Sequence, residues 1–175
     1  MSPAGDSALR LRRQRRARLR ARLQRLAAGC GRDSLRTTVG VDLVSVGRVA
    51  ESLRTFGSRF TARLFTDAET AYAMRSPGQA AQRLAARFAA KEAALKAIGL
   101  TDVGVCWRDI EVERGPAGGG GLRLLGRAPA AAADAGLVEL ALSLTHEDDS
   151  ASAVVLARLR DADAAARPHR YSWTP

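Results

Sequence analysis

The only two lysines of the chain, Lys91 and Lys96, lie on either side of Glu92 in one alanine-rich segment, residues 76–98. All other strongly basic side chains are arginines. A proline-containing turn signal at the start and a glycine just past the end predict that this segment is one long helix. Residues four apart share a helix face, so Glu92 and Lys96 are expected side by side, with Arg87 and Lys91 on an adjoining stripe. A carboxylate inside such a basic cluster suits a metal ion together with phosphate oxygens.

The rest of the pattern predicts an α+β domain over residues 37–160. Capping boxes are predicted at residues 66–69 and 76–79, each at the start of a helix. The predicted strands are residues 37–44, 105–114, 122–125, 137–145 and 151–159, and further helices are predicted at 45–56 and 129–135. This order favours an antiparallel sheet packed against the long helix and the shorter helices.

The net charge of +10 belongs to an arginine-rich N-terminal extension, residues 1–36. This segment carries 11 arginines and 2 aspartates, whereas the rest of the chain carries 17 basic and 16 acidic side chains. Leu19, Leu23 and Leu26 have helical spacing, which predicts a basic amphipathic helix or a helix-prone, disordered extension. Residues 161–175 are expected to form a flexible C-terminal tail.

The composition argues against several classes of protein. A hydrophobic content of 46% does not fit a wholly disordered chain, and no apolar run is long enough to span a bilayer. No apolar signal core follows the N-terminus. Cys30 and Cys106 are far apart, which does not fit a structural zinc site. We therefore expect a cytoplasmic protein with free thiols and no membrane partner.

Three side chains are candidates for chemistry, and each has an alternative structural interpretation. Asp42 lies in an apolar strand, where a carboxylate is costly unless it is paired or metal-bound; alternatively it caps the following helix. Glu92 alternatively forms a surface ion pair with Lys96, although apolar neighbours on its stripe indicate that this face points partly into the core. His146 follows a strand and alternatively is a structural histidine at a strand end.

Three segments, in this order along the chain, resemble the motifs of one enzyme family. They are residues 40–49, 87–96 and 143–146, and Phe65-Thr66 with Glu69 also falls in the family's place. Over about residues 38–158 the chain resembles the holo-acyl-carrier-protein synthase family of 4'-phosphopantetheinyl transferases. The resemblance implies transfer of the 4'-phosphopantetheine group of coenzyme A (CoA) to a serine of an apo acyl carrier protein, with release of adenosine 3',5'-bisphosphate. Such transfer supports fatty acid or polyketide biosynthesis.

The resemblance also implies roles within the site. Asp42 and Glu92 are expected to bind Mg²⁺, and Glu92, Lys96 and His146 to take part in catalysis. The residues expected at the phosphates of CoA are Arg87, Lys91, Lys96 and His146. For His146 two roles stay open: it binds a phosphate, or it helps to remove the serine proton.

Two kinds of protein partner are implied as well. The acidic carrier is expected to dock by electrostatic steering on basic side chains of the first helix and the residues after it, namely Arg48, Arg54, Arg59 and Arg63. The alternative for these arginines is an ordinary solvated basic face. The family builds its sites between subunits, so the resemblance implies a homotrimer. Residues 99–104 and 115–121 differ from the loops that are usual in the family.

A basic nucleic-acid-binding module is the alternative function. Counterion release on the arginines of residues 10–25 would supply non-specific affinity. Aromatic residues make up only 5% of the chain and the folded part is close to neutral, so a platform for specific nucleic-acid contacts is not predicted. A carrier-binding protein without catalysis is disfavoured because Asp42, Glu92 and Lys96 occur together.

Overall fold

The computed structural model describes residues 35–101, 103–114 and 120–160. The elements in chain order are β1 (Leu35–Ser45), α1 (Val46–Phe56), α2 (Ser58–Leu64), α3 (Asp67–Met74), α4 (Ala80–Ile98), β2 (Ile110–Arg114), β3 (Gly120–Leu124), α5 (Ala128–Asp134), β4 (Leu137–His146) and β5 (Ser150–Arg160). Short 3-10 turns, Pro77–Gln79 and Trp107–Asp109, precede α4 and β2. The predicted extension before Leu35 and the predicted tail 161–175 lie outside the described residues.

The strands form two antiparallel sheets. β5 lies in the middle of a three-stranded sheet with the order β1-β5-β4, and β2 pairs with β3 in a separate hairpin. In the larger sheet Val41 of β1 lies opposite Val154 of β5, and Leu142 of β4 lies opposite Val155. The predicted α+β fold, an antiparallel sheet packed against a long helix and shorter helices, is confirmed.

Helix α4 lies at the centre of the core. Its alanines are fully buried along most of its length. The C-terminal half packs against the larger sheet and α5, whereas the N-terminal half packs against α1, α2 and α3 through Leu84 and Ala85. Because alanine side chains are short, the helix axis lies close to the sheet.

The closest contact of α4 is with the backbone of β1. A Cβ atom placed on Gly40 would lie 1.9 Å from the carbonyl oxygen of Ala93 and 2.8 Å from the amide nitrogen of Ala97. Two residues before the glycine, the hydroxyl of Thr38 donates a hydrogen bond of 2.6 Å to the carbonyl of Ala97. Alternation along a strand directs Asp42 to this same face of β1, toward α4.

Two local predictions are wrong. Ser76 makes no capping hydrogen bond with its side chain, and α4 begins at Ala80, because residues 77–79 form a 3-10 turn in which the amide of Gln79 donates to the carbonyl of Ser76. The strand predicted at 105–114 begins only at Ile110, because the turn before it is closed by a 3.0 Å bond from the amide of Cys106 to the carboxylate of Asp109. The capping box at Thr66 and Glu69 is confirmed by both of its hydrogen bonds.

The outer face of the larger sheet is apolar and exposed. The apolar strand predicted at 37–44 is covered only on the face of β1 toward α4, since Val41 is 54% and Leu43 is 70% exposed on the other face. Val154 and Leu156 of β5 continue this exposed apolar face. Among the described residues, no helix combines the length and the apolar character needed to cross a membrane.

We expect Gly40→Ala to lower the free energy of unfolding by about 1–3 kcal/mol, because the added methyl group overpacks the contact between β1 and α4. Gly47→Ala in α1 is the matched control, since its Cβ would meet only the Ser45 hydroxyl at 3.7 Å and alanine favours helix. Urea denaturation at one protein concentration, followed by circular dichroism, measures both. Equal midpoints for Gly40→Ala and the unchanged protein would contradict the close approach.

Candidate active site

Asp42 and Lys96 form an ion pair where β1 passes α4. Lys96 Nζ lies 2.7 Å from Asp42 Oδ1 and 3.3 Å from the carbonyl oxygen of Val41. The hydrogen bond to Asp42 raises the pKa of Lys96, so the ammonium stays charged at neutral pH. Asp42 therefore does not cap α1; Ser45 does, through its hydroxyl, which accepts from the amide of Arg48.

Glu92 lies one helical turn before Lys96 but does not pair with it. Its Oε1 instead accepts a hydrogen bond from the indole N–H of Trp107. The alternative interpretation of Glu92 as a surface ion pair with Lys96 is therefore wrong. Since Phe88 packs against the Trp107 ring at 6.1 Å between centroids, this face of α4 contacts the core, as predicted.

Asp42 and Glu92 line the same cavity, which has a volume of ≈ 730 Å³. The apolar side chains that line the cavity are Val49, Phe60, Leu64 and Phe88. The charged side chains that line it are Asp42, Glu92, Arg48 and Asp149. The cavity thus offers apolar contacts to an extended organic chain and charged groups to its ionic end.

The two carboxylates of this cavity suit Mg²⁺ rather than zinc. They do not by themselves form a complete set of protein ligands around a metal ion. In the ranges that the structure describes, no three histidine, cysteine, aspartate or glutamate side chains come together as a metal cluster. Asp42 and Glu92 each have one oxygen engaged, Oδ1 by Lys96 and Oε1 by Trp107. The other oxygen of each carboxylate accepts no hydrogen bond from a described residue. Two carboxylates are a typical protein contribution to a Mg²⁺ ion whose remaining ligands are substrate phosphates and water.

Arg87 and His146 line a different cavity of ≈ 400 Å³, and they share it with Tyr72, Arg83 and Arg114. Arg87 is only 7% exposed, and its guanidinium lies 4.1 Å from the centre of the Tyr72 ring. Its terminal nitrogen donates to the carbonyl of Arg83 at 3.2 Å, while its Nε, also buried, has no hydrogen-bond partner among the described residues. Burial lowers the pKa of Arg87. Three arginines, Arg83, Arg87 and Arg114, line this cavity beside one carboxylate, Glu113, which pairs with Arg123. A cavity with such an excess of guanidinium groups suits an anion such as a phosphate group.

Lys91 does not lie in either cavity, which corrects the expectation that it contacts CoA phosphates. Its side chain is fully buried, with the ammonium 2.7 Å from Glu69 Oε2, 2.9 Å from the carbonyl of Trp107 and 2.7 Å from that of Ile110. An ammonium has three protons, and all three are donated inside the fold. Burial lowers the pKa of Lys91, while the Glu69 carboxylate acts in the opposite direction.

The predicted docking arginines are exposed on two adjacent helices. Arg48 and Arg54 lie on α1, and Arg59 and Arg63 lie on α2. None of the four forms an ion pair with another described residue. Arg48 also lines the cavity of Asp42 and Glu92, so this basic surface borders the carboxylates.

The predicted site residues thus divide between two surfaces of one chain. The carboxylate surface contains Asp42, Glu92 and Lys96, and the cationic surface contains Arg87 and His146. Arg87 and Glu92 are five residues apart, which places them about 140° apart around α4. A single chain therefore does not bring all predicted residues to one cavity.

The sequence interpretation missed three residues of these surfaces, Trp107, Tyr72 and Arg83. Trp107 lay in a predicted strand, on the face opposite Arg108 and Ile110, and only the 3-10 turn directs its indole to Glu92. The four-residue spacing of Arg83 and Arg87 was a signal that could have found Arg83, because residues with this spacing share a helix face. Both guanidinium groups stack on Tyr72, and that of Arg83 lies 5.1 Å from the centre of the ring.

The chain is similar to known proteins of one enzyme family. A holo-acyl-carrier-protein synthase of Desulforudis audaxviator is 45% identical over 119 residues, which are 68% of this chain and 90% of the relative. One of Koribacter versatilis is 44% identical over 118 residues, 67% of this chain and 94% of the relative. The ACPS-CoA complex of Chronobacterium ammoniagenes is similar to the fold with a TM-score of 0.63 and 34% identity, over 72% of this chain and 99% of that one. Residues 38–155 match the family model of this group, and the chain belongs to the 4'-phosphopantetheinyl transferase superfamily.

Proposed function

We propose that this protein is a holo-acyl-carrier-protein synthase, which transfers the 4'-phosphopantetheine group of CoA to a serine of an apo acyl carrier protein. The observation that carries the proposal is that Asp42 and Glu92 line one cavity, with Lys96 paired to Asp42, in a member of this superfamily. The apolar side chains that line the cavity suit the pantetheine arm, and its charged side chains suit the pyrophosphate with its metal ion. Fatty acid or polyketide biosynthesis and a cytoplasmic location stay predictions.

In the reaction, the serine oxygen forms a bond to the phosphorus that carries the pantetheine arm. The pyrophosphate P–O bond breaks, adenosine 3',5'-bisphosphate leaves, and the serine proton passes to a base or to water. Lys96 offsets the negative charge that shifts to the leaving oxygen, and its pair with Asp42 keeps the ammonium charged and fixed. Mg²⁺ bound by Asp42 and Glu92 would supply further charge neutralisation at the pyrophosphate.

His146 and Arg87 are proposed to bind phosphate groups of CoA. Both lie in the cavity of Tyr72, Arg83 and Arg114, and the buried Arg87 has an N–H donor that no residue in the described ranges accepts. Their position among cationic side chains favours the role of phosphate ligand for His146 over that of a base for serine.

The division of the site between two surfaces supports a homotrimer with active sites between subunits. In such an assembly the carboxylate surface of one subunit would meet the cationic surface of the next. The exposed apolar face with Val39, Val41, Leu43, Val154 and Leu156 is a surface that such an assembly would cover.

The carrier is proposed to dock on the exposed arginines of α1 and α2. They border the cavity through Arg48, and an acidic carrier would be steered to them by charge. The alternative function, nucleic-acid binding through residues 10–25, has no support among the described residues or the relatives.

We expect Asp42→Asn and Glu92→Gln each to reduce transfer at least about a hundredfold without loss of folding, because each removes a charged Mg²⁺ ligand. The matched controls are Asp67→Asn and Glu139→Gln, which change surface carboxylates outside the cavity. The intact mass of an apo carrier after incubation with CoA and Mg²⁺ measures transfer. Transfer by Glu92→Gln at the rate of its control would show that the metal assignment is wrong.

Lys96→Ala and Arg54→Ala should affect different steps. Loss of Lys96 should lower kcat, because this ammonium acts on the transition state, whereas loss of Arg54 should raise the KM for the carrier and weaken its salt dependence. Steady-state kinetics over a range of carrier and salt concentrations separate the two effects. Equal losses of kcat at saturating carrier would contradict this division of roles.

A shared site predicts complementation between two inactive variants. Glu92→Gln damages the carboxylate surface and His146→Ala damages the cationic surface, so each mixed trimer should contain one intact site of three and recover up to about one third of the activity. The two variants are co-expressed with different tags, and the doubly purified protein is assayed.

The control for complementation combines Asp42→Asn with Glu92→Gln, which damage the same surface and should recover nothing. Light scattering on the unchanged protein gives the oligomeric state. A monomer that retains full activity would exclude the shared site.

A further inference from the structure

Trp107 makes the one hydrogen bond that Glu92 receives from a described residue. The indole Nε1–H donates to Glu92 Oε1, and the indole ring packs against Phe88, one helical turn before Glu92 on α4. Glu92 and Phe88 both line the carboxylate cavity, whereas Trp107 lies behind them and is half-buried. Trp107 therefore contacts a proposed metal ligand without lining the cavity itself.

The backbone of Trp107 is fixed independently of its side chain. Its carbonyl accepts a 2.9 Å bond from the buried ammonium of Lys91, the residue next to Glu92 in the chain. The same ammonium pairs with Glu69 at 2.7 Å, and Glu69 Oε1 accepts from the amide of Val112 at 2.9 Å. A buried network thus links α3, α4, the 3-10 turn and β2, and it sets the position from which the indole reaches Glu92.

An indole N–H differs from a lysine or arginine as a partner of a metal ligand. It is a neutral donor that does not accept a hydrogen bond, so it orients a carboxylate and leaves its negative charge uncompensated. Asp42 in contrast is paired with the charged Lys96. No cationic side chain of the described residues donates a hydrogen bond to Glu92, and Oε2 is the oxygen that Trp107 does not engage.

We propose that Trp107 is a positioning residue for Glu92, which orients the carboxylate for a divalent cation through the indole N–H, with Lys91 anchoring the tryptophan backbone. The proposal rests on the metal assignment under the proposed function and assigns Lys91 a task other than phosphate binding. Partners that orient metal ligands in this way typically change metal affinity about 10–100-fold when they are removed.

The test is Trp107→Phe, which removes the donor, keeps an aromatic ring against Phe88 and leaves the carbonyl bonded to Lys91. The full chain is titrated with Mn²⁺ at saturating CoA, and free Mn²⁺ is followed by electron paramagnetic resonance. We expect the Kd for Mn²⁺ to rise about 10–100-fold, and the Mg²⁺ concentration for half-maximal transfer to rise in parallel. The KM for the carrier should not change, since the docking arginines are untouched.

Two variants serve as references. Arg108→Ala changes the next residue of the same 3-10 turn, whose guanidinium contacts Ala62 and Asp67 outside the cavity, and should leave the Kd for Mn²⁺ unchanged. Glu92→Gln should lose Mn²⁺ binding. Unchanged Mn²⁺ affinity in Trp107→Phe beside a loss in Glu92→Gln would overturn the role of Trp107 while the proposed function stands. Unchanged affinity in Glu92→Gln would instead show that the metal assignment is wrong.

A measurement on the unchanged protein does not depend on how Trp107→Phe folds. With ¹⁵N-labelled tryptophan, the indole N–H resonance of Trp107 should shift when Mg²⁺ is added with CoA, because its acceptor then binds a cation. Trp173 serves as the internal reference, and in Glu92→Gln the shift should disappear. A Trp107 resonance that does not respond to Mg²⁺ in the unchanged protein would overturn the proposal.

Discussion

The contact between the backbone of β1 and the backbone of α4 determines the geometry of the candidate active site. Gly40 has no side chain, and Ala93 and Ala97 face it with the smallest helix-compatible side chains, so strand and helix approach more closely than any larger residue at position 40 would allow. The approach lets Lys96 reach Asp42 at 2.7 Å across two elements that are far apart in the chain. Small residues therefore set the distance at which the charged residues act.

The second determinant is the buried pair of Lys91 and Glu69. Buried charged groups are stable only when each of their hydrogen-bond donors and acceptors is paired. Here three acceptors surround the ammonium group of Lys91. Removal of either partner would leave a buried charge, at a cost of about 3–5 kcal/mol. The pair joins the first turn of α3 to the middle of α4 and to the start of β2, and through Trp107 it extends to Glu92. On one helix, the structural residue Lys91 thus lies next to Glu92 and near Lys96, which have proposed catalytic roles.

Basic side chains are distributed unevenly over the chain and form three separate groups. The excess charge of +10 comes almost entirely from residues 1–36, while the exposed arginines of α1 and α2 form a local basic surface on a nearly neutral domain. A third cationic group surrounds Tyr72, where Arg83 and Arg87 stack on the ring. Net charge alone would not have separated a docking surface from a phosphate site.

The sequence by itself determined the α+β fold, the long helix, the Thr66 capping box and the family, because these follow from local periodicity and from motifs of adjacent residues. It also brought Asp42, Glu92 and Lys96 together as candidates. Only the tertiary structure decided that Lys91 is buried, that Trp107 rather than Lys96 bonds Glu92, and that Arg87 and His146 lie on another surface. Helical spacing says which residues share a stripe, but contacts between elements depend on how closely their backbones pack, and no local pattern encodes that distance.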